Sequence, residues 1–316
     1  VEGIINHRWF HPTAFEAFVN LNMTMFENVT YILFLDVETC AQPSYPYFGK
    51  GTRGNADVYG GRTDDLREQA VAILKRLWRI ILRLEASIKW KVVLFSCRKS
   101  GPFQFRKDKP DEHLVIASTS ALRYQVLEGI DQGLPFPPYR RYCLSAKQRE
   151  AVSNCNDEDR PYLLTFSGHL YARSRKLLKQ LHNGKDIMVG TPWELQEALG
   201  VHDPYFRLAS QSKFAAVPRG SYIGTSRLME VISAGAIPVI LADHWVLPLS
   251  KVINWTEIAV ILPEEEASKA AAVVSSLSKD ARCIMRMRLM EVYDNYLVTG
   301  EGIIDGLVRG VLGNSG

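Results

Sequence analysis

The residues most able to do chemistry lie in Ser212–Ile240, SKFAAVPRGSYIGTSRLMEVISAGAIPVI, where arginines alternate with glycines at the start of an expected helix. The apolar run Phe214 to Val217 is broken by Pro218, Arg219 and Gly220, and the pattern predicts a helix opening near Thr225 and Ser226. Backbone N–H groups in a first helical turn lack intrahelical partners and carry the positive end of the helix dipole. A phosphate placed beside Gly220, Gly224, Thr225 and Ser226 therefore meets donors aimed at it, with Arg219 and Arg227 in reach. Glu230 follows Ser226 by four residues and Arg227 by three, on one helical face, where a carboxylate suits a ribose diol. An ordinary βαβ unit with solvated arginines and a surface Arg227–Glu230 ion pair accounts for the same residues.

Positioning such a site requires strands on both sides of it. Ala236 to Leu241 reads as a buried parallel strand after the helix, and Tyr162 to Phe166 as another, ending in Ser167 and Gly168 before a helix that carries Arg173, Arg175 and Lys176. The first half alternates similarly: strands over Val29–Leu35, Trp90–Ser96 and His113–Ser118, and a long amphipathic helix over Asp65–Ile88. Cys40 to Arg62 is too long for a simple connector, and its Tyr45, Tyr47 and Phe48 offer faces for sugar stacking or the packing of a lid. Pro135, Pro137 and Pro138 mark an extended stretch, and Ser153–Arg160 reads as a polar linker. The expected division is 1–156 and 157–316.

A length of 316 residues with 47% hydrophobic content suits two α/β domains, each with its own core. The net charge of +4 allows an anionic substrate without demanding one, and no motif accompanies it that would point to nucleic acid. The most apolar long stretch, Ala70–Ile88, is interrupted by Lys75, Arg76, Arg79, Arg83 and Glu85, so it does not read as a membrane span. The chain starts at Val1, as a trimmed or lumenal portion would, so the lack of a membrane span says nothing of the full-length protein. Asn22, Asn28 and Asn254 each begin an N-x-T sequon, usable only in a secretory compartment, and Asn254 is expected to be buried. Among the five cysteines, Cys143 and Cys155 are near enough in sequence to close a short loop, with Cys40, Cys97 and Cys283 left as single thiols. None of the cysteines shows metal-ligand spacing.

The segment from Pro218 to Trp255, PRGSYIGTSRLMEVISAGAIPVILADHWVLPLSKVINW, resembles the exostosin-like family of glycosyltransferases. Pro218, Arg219, Gly220, Gly224, Ser226, Arg227, Glu230, Gly235, Pro238, Asp243, Pro248 and Trp255 fall at the family's intervals, and Ala236 departs from it where many relatives carry cysteine. The likeness runs from about Tyr162 to the last helices and more weakly through the first half. It implies an α/β, GT-B-like fold of two Rossmann-like parallel-sheet domains facing a cleft. The first would be the acceptor side and the second the nucleotide-sugar side. It further implies inverting transfer from a UDP-sugar, the donor substrate, to a glycan or glycoprotein acceptor, with no cofactor and no bound metal. Arg173 is the position carried over for the arginine that faces the donor diphosphate. The expected location is the Golgi or ER lumen, with a type II anchor in the full-length protein and a homo- or hetero-oligomer with another transferase.

Negative charge grows on the diphosphate as the anomeric carbon departs, so Arg173, Arg219, Arg227 and the Gly224–Ser226 amides would supply the compensating positive groups. The acceptor hydroxyl needs a base, and Asp36, ending the first strand, is the candidate. A turn cap accounts for Asp36 as well, Asp64, Asp65 and Glu128 are alternatives for the base, and His169, next to Gly168, is placed to hold the donor or to pack in the wall. Two other readings fit: a metal-dependent GT-A transferase using Asp36-Val37-Glu38 or Asp157-Glu158-Asp159, and a catalytically silent partner subunit or glycan-binding module.

Overall fold

A computed structural model describes residues 30–36, 89–96, 114–128, 130–135, 144–201, 204–220 and 223–312. The expected helix over Asp65–Ile88, the loop over Cys40–Arg62, the carboxylates Asp64 and Asp65, the sequons at Asn22 and Asn28, and Cys40, Cys97 and Cys143 lie outside the described residues. Contacts group the chain into Val1–Leu33 with Gly49–Val92, and Phe34–Phe48 with Val93–Gly316.

The expected strands of the first half form as β1 (Thr30–Asp36), β2 (Lys89–Ser96) and β3 (Leu114–Ser118), joined by a two-residue β4 (Gln132–Gly133) in the order β1-β2-β3-β4. β3 and β4 run parallel, with Ala117 opposite Gln132. After β4 comes α1 (Ala146–Ser153), opened by a capping box between Ser145 and Gln148.

The second sheet consists of β5 (Tyr162–Ser167), β6 (Ile187–Gly190), β7 (Ser212–Pro218), β8 (Ile237–Leu241) and β9 (Val260–Ile261). Its order is β6-β5-β7-β8-β9, and every pairing is parallel. Strands buried on both faces read as continuous apolar runs, as FAAVP and IPVIL do here. One face packs Leu164, Phe166, Phe214, Ala216, Ile237 and Val239 into the main core. That face is covered by α2 (Arg173–Lys179), through Leu178, and by Ala267, Ala270 and Val274 of a 3-10 turn (Glu264–Lys269) and α6 (Ala270–Ser276). Met188 packs with Leu195 of α3 (Pro192–Leu199) and Leu208 of α4 (Pro204–Ser210) in a second cluster. α5 (Arg227–Ser233) connects β7 to β8, and α7 (Lys279–Val292) and α8 (Gly300–Leu312) complete the chain.

Residues 121–134 are tied to 244–249. Val246 N donates to Ala121 O at 2.9 Å, and Leu249 N to Gly133 O at 2.9 Å. α8 docks on the same place through a row of small residues: a Cβ on Gly310 would meet the Gln132 side chain at 2.5 Å, and one on Gly306 would meet Leu249 at 2.7 Å. The Gln132 amide then donates to Leu307 O at 3.1 Å.

Ser153–Arg160, read from the sequence as a polar linker, is instead fastened on both sides. The Arg160 guanidinium, buried, donates to Ser212 O at 2.8 Å and Ala234 O at 3.0 Å. Burial pushes it down to about 9, so it remains cationic at neutral pH. Asp157 pairs with Arg286, itself 2% exposed, and with Arg282 at 3.5 Å. Its carboxylate is therefore held by two arginines of α7, which speaks against the metal triplet at 157–159. Cys155 is bonded to Cys283 across 128 residues, which corrects the expected Cys143–Cys155 loop and removes Cys283 from the single thiols. Proximity in sequence misled because α7 returns to the end of α1 and brings a cysteine 128 residues away to Cys155. Closing so long a loop removes much entropy from the unfolded chain.

Burial alone would raise the Asp157 carboxyl, but Arg286 and Arg282 outweigh it and hold it below the usual carboxylate range. The folded state thus binds the carboxylate form more tightly than the unfolded chain does. The resulting stability is complete above the ordinary carboxylate range and is lost as pH falls through the lowered value. Asp157→Asn is expected to cost about 3 kcal/mol at neutral pH by leaving Arg286 buried and unpaired. In thermal melts from neutral pH into the acid range, the gap between wild type and variant should narrow. A gap of constant width would show that the ion pair does not set it.

Candidate functional site

In a parallel sheet of this order the chain turns to opposite faces from β5 and β7, so a crevice opens beyond their carboxyl ends. The residues singled out in Ser212–Ile240 stand there. Arg219 follows β7 and its N–H donates to Leu241 O at 2.9 Å, which keeps Gly220 beside the end of β8. Gly224 is buried against the turn after β3: a Cβ there would overlap the Thr119 carbonyl and lie 2.9 Å from Ser120 Oγ. Only glycine permits that approach.

α5 opens at Ser226, which is buried and makes no side-chain cap bond. The Arg227 N–H donates to Thr225 Oγ1 at 3.2 Å, and the Leu228 N–H to Thr225 O at 3.4 Å. These two amides of the first turn are thereby occupied inside the chain. With a helix of only seven residues, the positive character of the site rests on its arginines more than on the helix start.

Two guanidinium groups converge on Phe166, the penultimate residue of β5. Arg227 stacks over its ring at 4.5 Å from the centroid, with the Tyr205 ring of α4 on a second contact at 4.7 Å. Arg175 stands over the same phenylalanine at 5.4 Å and over Tyr171 at 4.7 Å. Arg175 is buried, and donates through Nε to Arg219 O (3.0 Å) and through Nη1 to His169 O (2.9 Å), so it ties the loop after β5 to the loop after β7. Burial and then the charge of Arg227 lower its pKa from the usual arginine value. Among the described residues neither Arg175 nor Arg227 has a carboxylate partner in an ion pair. Gly168 lets Arg227 approach, since a Cβ there would lie 2.9 Å from its guanidinium.

Glu230 is buried one turn along α5 and accepts a hydrogen bond from the Tyr205 hydroxyl at 2.5 Å. Tyr205 thus touches both charged residues of α5, offering its ring to Arg227 and its hydroxyl to Glu230. Arg219 is exposed, in a loose pair with Glu264 at 3.7 Å. Arg173, the arginine carried over by resemblance, is exposed at the first turn of α2, and His169 is exposed in the preceding loop. Asp36 ends β1, at the edge of the first sheet and two strand positions from β3.

Phe166, Arg175 and Tyr205 were missed as site residues. Arg175 had a signal: in a helix starting at Arg173 it shares a face with Leu178, three residues on, and that face must meet the sheet. Tyr205 lies outside every motif, and nothing in its neighbours marks it.

These elements define a parallel α/β domain whose carboxyl edge gathers cations and can accept a dianionic group. The chain belongs to the exostosin GT47 family of glycosyltransferases: the model of the Exostosin GT47 domain matches residues 92–277. Exostosin-1 homolog of Caenorhabditis elegans is 29% identical over 215 residues, covering 62% of this chain and 56% of that protein. Exostosin-1 of Drosophila melanogaster is 29% identical over 210 residues, covering 60% of this chain and 28% of that protein. The chain thus spans about half or less of the length of these relatives. Among solved structures, a glycosyltransferase from Rickettsia africae aligns over 92% of this chain and 100% of its own, with TM-score 0.40 and 9% identity. WaaG, a glycosyltransferase involved in lipopolysaccharide biosynthesis, aligns over 79% and 83%, with TM-score 0.38 and 13% identity.

Tyr205→Phe keeps a ring beside Arg227 and deletes the bond to Glu230, which should cost about 2 kcal/mol as a hydrogen bond to a charged group. Tyr205→Leu should cost about 1 kcal/mol more by removing the aromatic face. Urea denaturation measures both. Equal stability of wild type and the Phe variant would mean that the hydroxyl contributes nothing.

Proposed function

We propose that this chain transfers a sugar from a UDP-sugar to a glycan or glycoprotein acceptor by direct displacement, with inversion at the anomeric carbon. The observation that carries the reading is the pair of guanidinium groups, Arg175 and Arg227, gathered over Phe166 at the switch point of a parallel sheet. Two cations close together repel, and a diphosphate relieves that repulsion while satisfying both. The diphosphate-facing arginine of α2 is reassigned from Arg173 to Arg175 on the grounds of burial and direction. Arg219, Gly220 and the Gly224–Ser226 backbone lie along the donor, and Glu230 takes a ribose hydroxyl, since a carboxylate has lone pairs enough to accept from Tyr205 and from the sugar.

In the step itself the acceptor oxygen bonds to the anomeric carbon as the bond to the diphosphate oxygen breaks. UDP leaves with the electron pair, and the acceptor proton passes to a base, for which Asp36 is the candidate. The arginines stabilise the leaving diphosphate, the task a divalent ion performs in metal-dependent transferases. Residues 157–316 are assigned to the donor and 1–156 to the acceptor. The Cys155–Cys283 disulfide supports an oxidising compartment, hence the Golgi or ER lumen. No helix among the described residues is long and apolar enough to cross a membrane. A type II anchor and association with another transferase belong to the proposal for the full-length protein.

Arg175→Ala and Arg227→Ala should each weaken UDP binding in calorimetry and raise the barrier to transfer by about 3 kcal/mol, whereas Arg173→Ala should leave UDP binding as it is. Wild-type UDP affinity in both of the first two variants would move the nucleotide elsewhere. Transfer should continue in excess chelator; its loss, with recovery on adding manganese, would favour the metal-dependent alternative. Asp36→Asn should bind UDP normally yet turn over at least a hundredfold more slowly, by the usual scale of general-base loss of roughly 10²–10⁴, and an unchanged rate would free Asp36 from the role.

A further inference from the structure

Asn254 was expected to be buried within its Trp-flanked segment. The structure places it in the open, with Thr256 also exposed, because Trp255 alone turns inward and anchors the segment by donating its indole N–H to Pro248 O at 2.8 Å. Asn254 caps the short 3-10 turn Trp255–Glu257, its Oδ1 accepting from Thr256 N at 3.3 Å and from the Thr256 hydroxyl at 2.7 Å. Its Nδ2 donates to Glu257 Oε1 at 2.8 Å. An amide nitrogen with two hydrogens can keep that bond after one hydrogen is replaced. The sequon Asn254-Trp255-Thr256 is therefore displayed with its two functional side chains outward and its bulky middle residue inward.

Its place in the fold matters as much as its exposure. Glu257 pairs with Arg288 of α7, and two residues before it on that helix Arg286 meets Asp157, just ahead of β5. Asn254 likewise precedes β9. In a parallel sheet these are the amino ends of strands, the edge opposite the one that carries Arg175, Arg219 and Arg227.

We infer that Asn254 is an N-glycosylation site, and that its glycan projects from the amino edge of the sheet without obstructing the candidate donor site. The inference rests on the lumenal reading above, and not on the assignment of the nucleotide. Chemically, Nδ2 of Asn254 bonds to the anomeric carbon of a lipid-linked oligosaccharide diphosphate. The sugar–phosphate bond breaks, the lipid diphosphate leaves with the electron pair, and the amide proton passes to a base of the host transferase. Thr256 is required by the sequon, and its hydroxyl already faces the Asn254 side chain.

The test expresses the full-length protein in a eukaryotic cell and treats it with peptide N-glycosidase in heavy-oxygen water, reading residue 254 by peptide mass spectrometry. Wild type and Thr256→Ser should carry the label at 254. Thr256→Ala, which keeps the Asn254 cap but breaks the sequon, should lose it completely. UDP affinity should agree within about twofold among glycosylated wild type, the enzymatically deglycosylated protein and Thr256→Ala, twofold being a fraction of the tenfold step that 1.4 kcal/mol represents. Unmodified Asn254 in a protein whose Cys155 and Cys283 are oxidised would overturn the inference alone, because the lumen was reached and the site refused. Unmodified Asn254 together with free Cys155 and Cys283 thiols would overturn the lumenal reading and this inference with it. A glycan that suppresses UDP binding would overturn the placement on the opposite edge.

Discussion

Like charges are costly to hold side by side, and the candidate site depends on doing so. Arg175 and Arg227 share the ring of Phe166, and the arrangement persists because each guanidinium is fixed by something other than a counter-charge. Arg175 is held by two loop carbonyls, Arg227 by two aromatic faces. Neutral restraints of this kind position a cation without quenching it, as a carboxylate would. Gly168 and Gly224 belong to the same solution, since both allow backbone to come where a side chain would keep the pieces apart.

The two edges of the second sheet are built differently. At the amino edge the restraints are a disulfide, an ion pair and buried hydrogen bonds: the Cys155–Cys283 bond, the Asp157 contacts to α7, and Arg160 reaching two backbone carbonyls. At the carboxyl edge they are single hydrogen bonds and ring contacts, with the loop arginine Arg219 only loosely paired. A scaffold that is fastened at one end leaves the other end able to adjust its loops by small amounts around a ligand.

Much of this architecture was legible from residue pattern alone. The run from β7 through α5 to β8 was expected because continuous apolar strands on either side of a glycine loop have few other meanings, and β1, β2, β3 and β5 fell close to their expected limits. Arg227 and Glu230 do share one face of α5, as a spacing of three requires. What escaped depends on distance through space. Arg175 is separated from Arg173 by two residues, and only knowing which face of α2 meets the sheet tells them apart. Tyr205 serves α5 from another helix, so no local pattern reports it. The Cys155 partner lies on α7, and the exposure of Asn254 follows from the inward turn of its neighbour Trp255, a choice made by Pro248. The pattern also gave no sign that Thr225 supplies its hydroxyl to the Arg227 amide and its carbonyl to the Leu228 amide.

The glycine row on α8 has a consequence for how the chain folds. Gln132, in a strand of two residues, bonds to Leu307, 175 positions later. So brief a strand gains little by pairing alone, so its place in the sheet depends on contacts made across a very long stretch of sequence. Non-local closure of this kind carries a high entropic cost before its contacts reward it, which makes it slow to form.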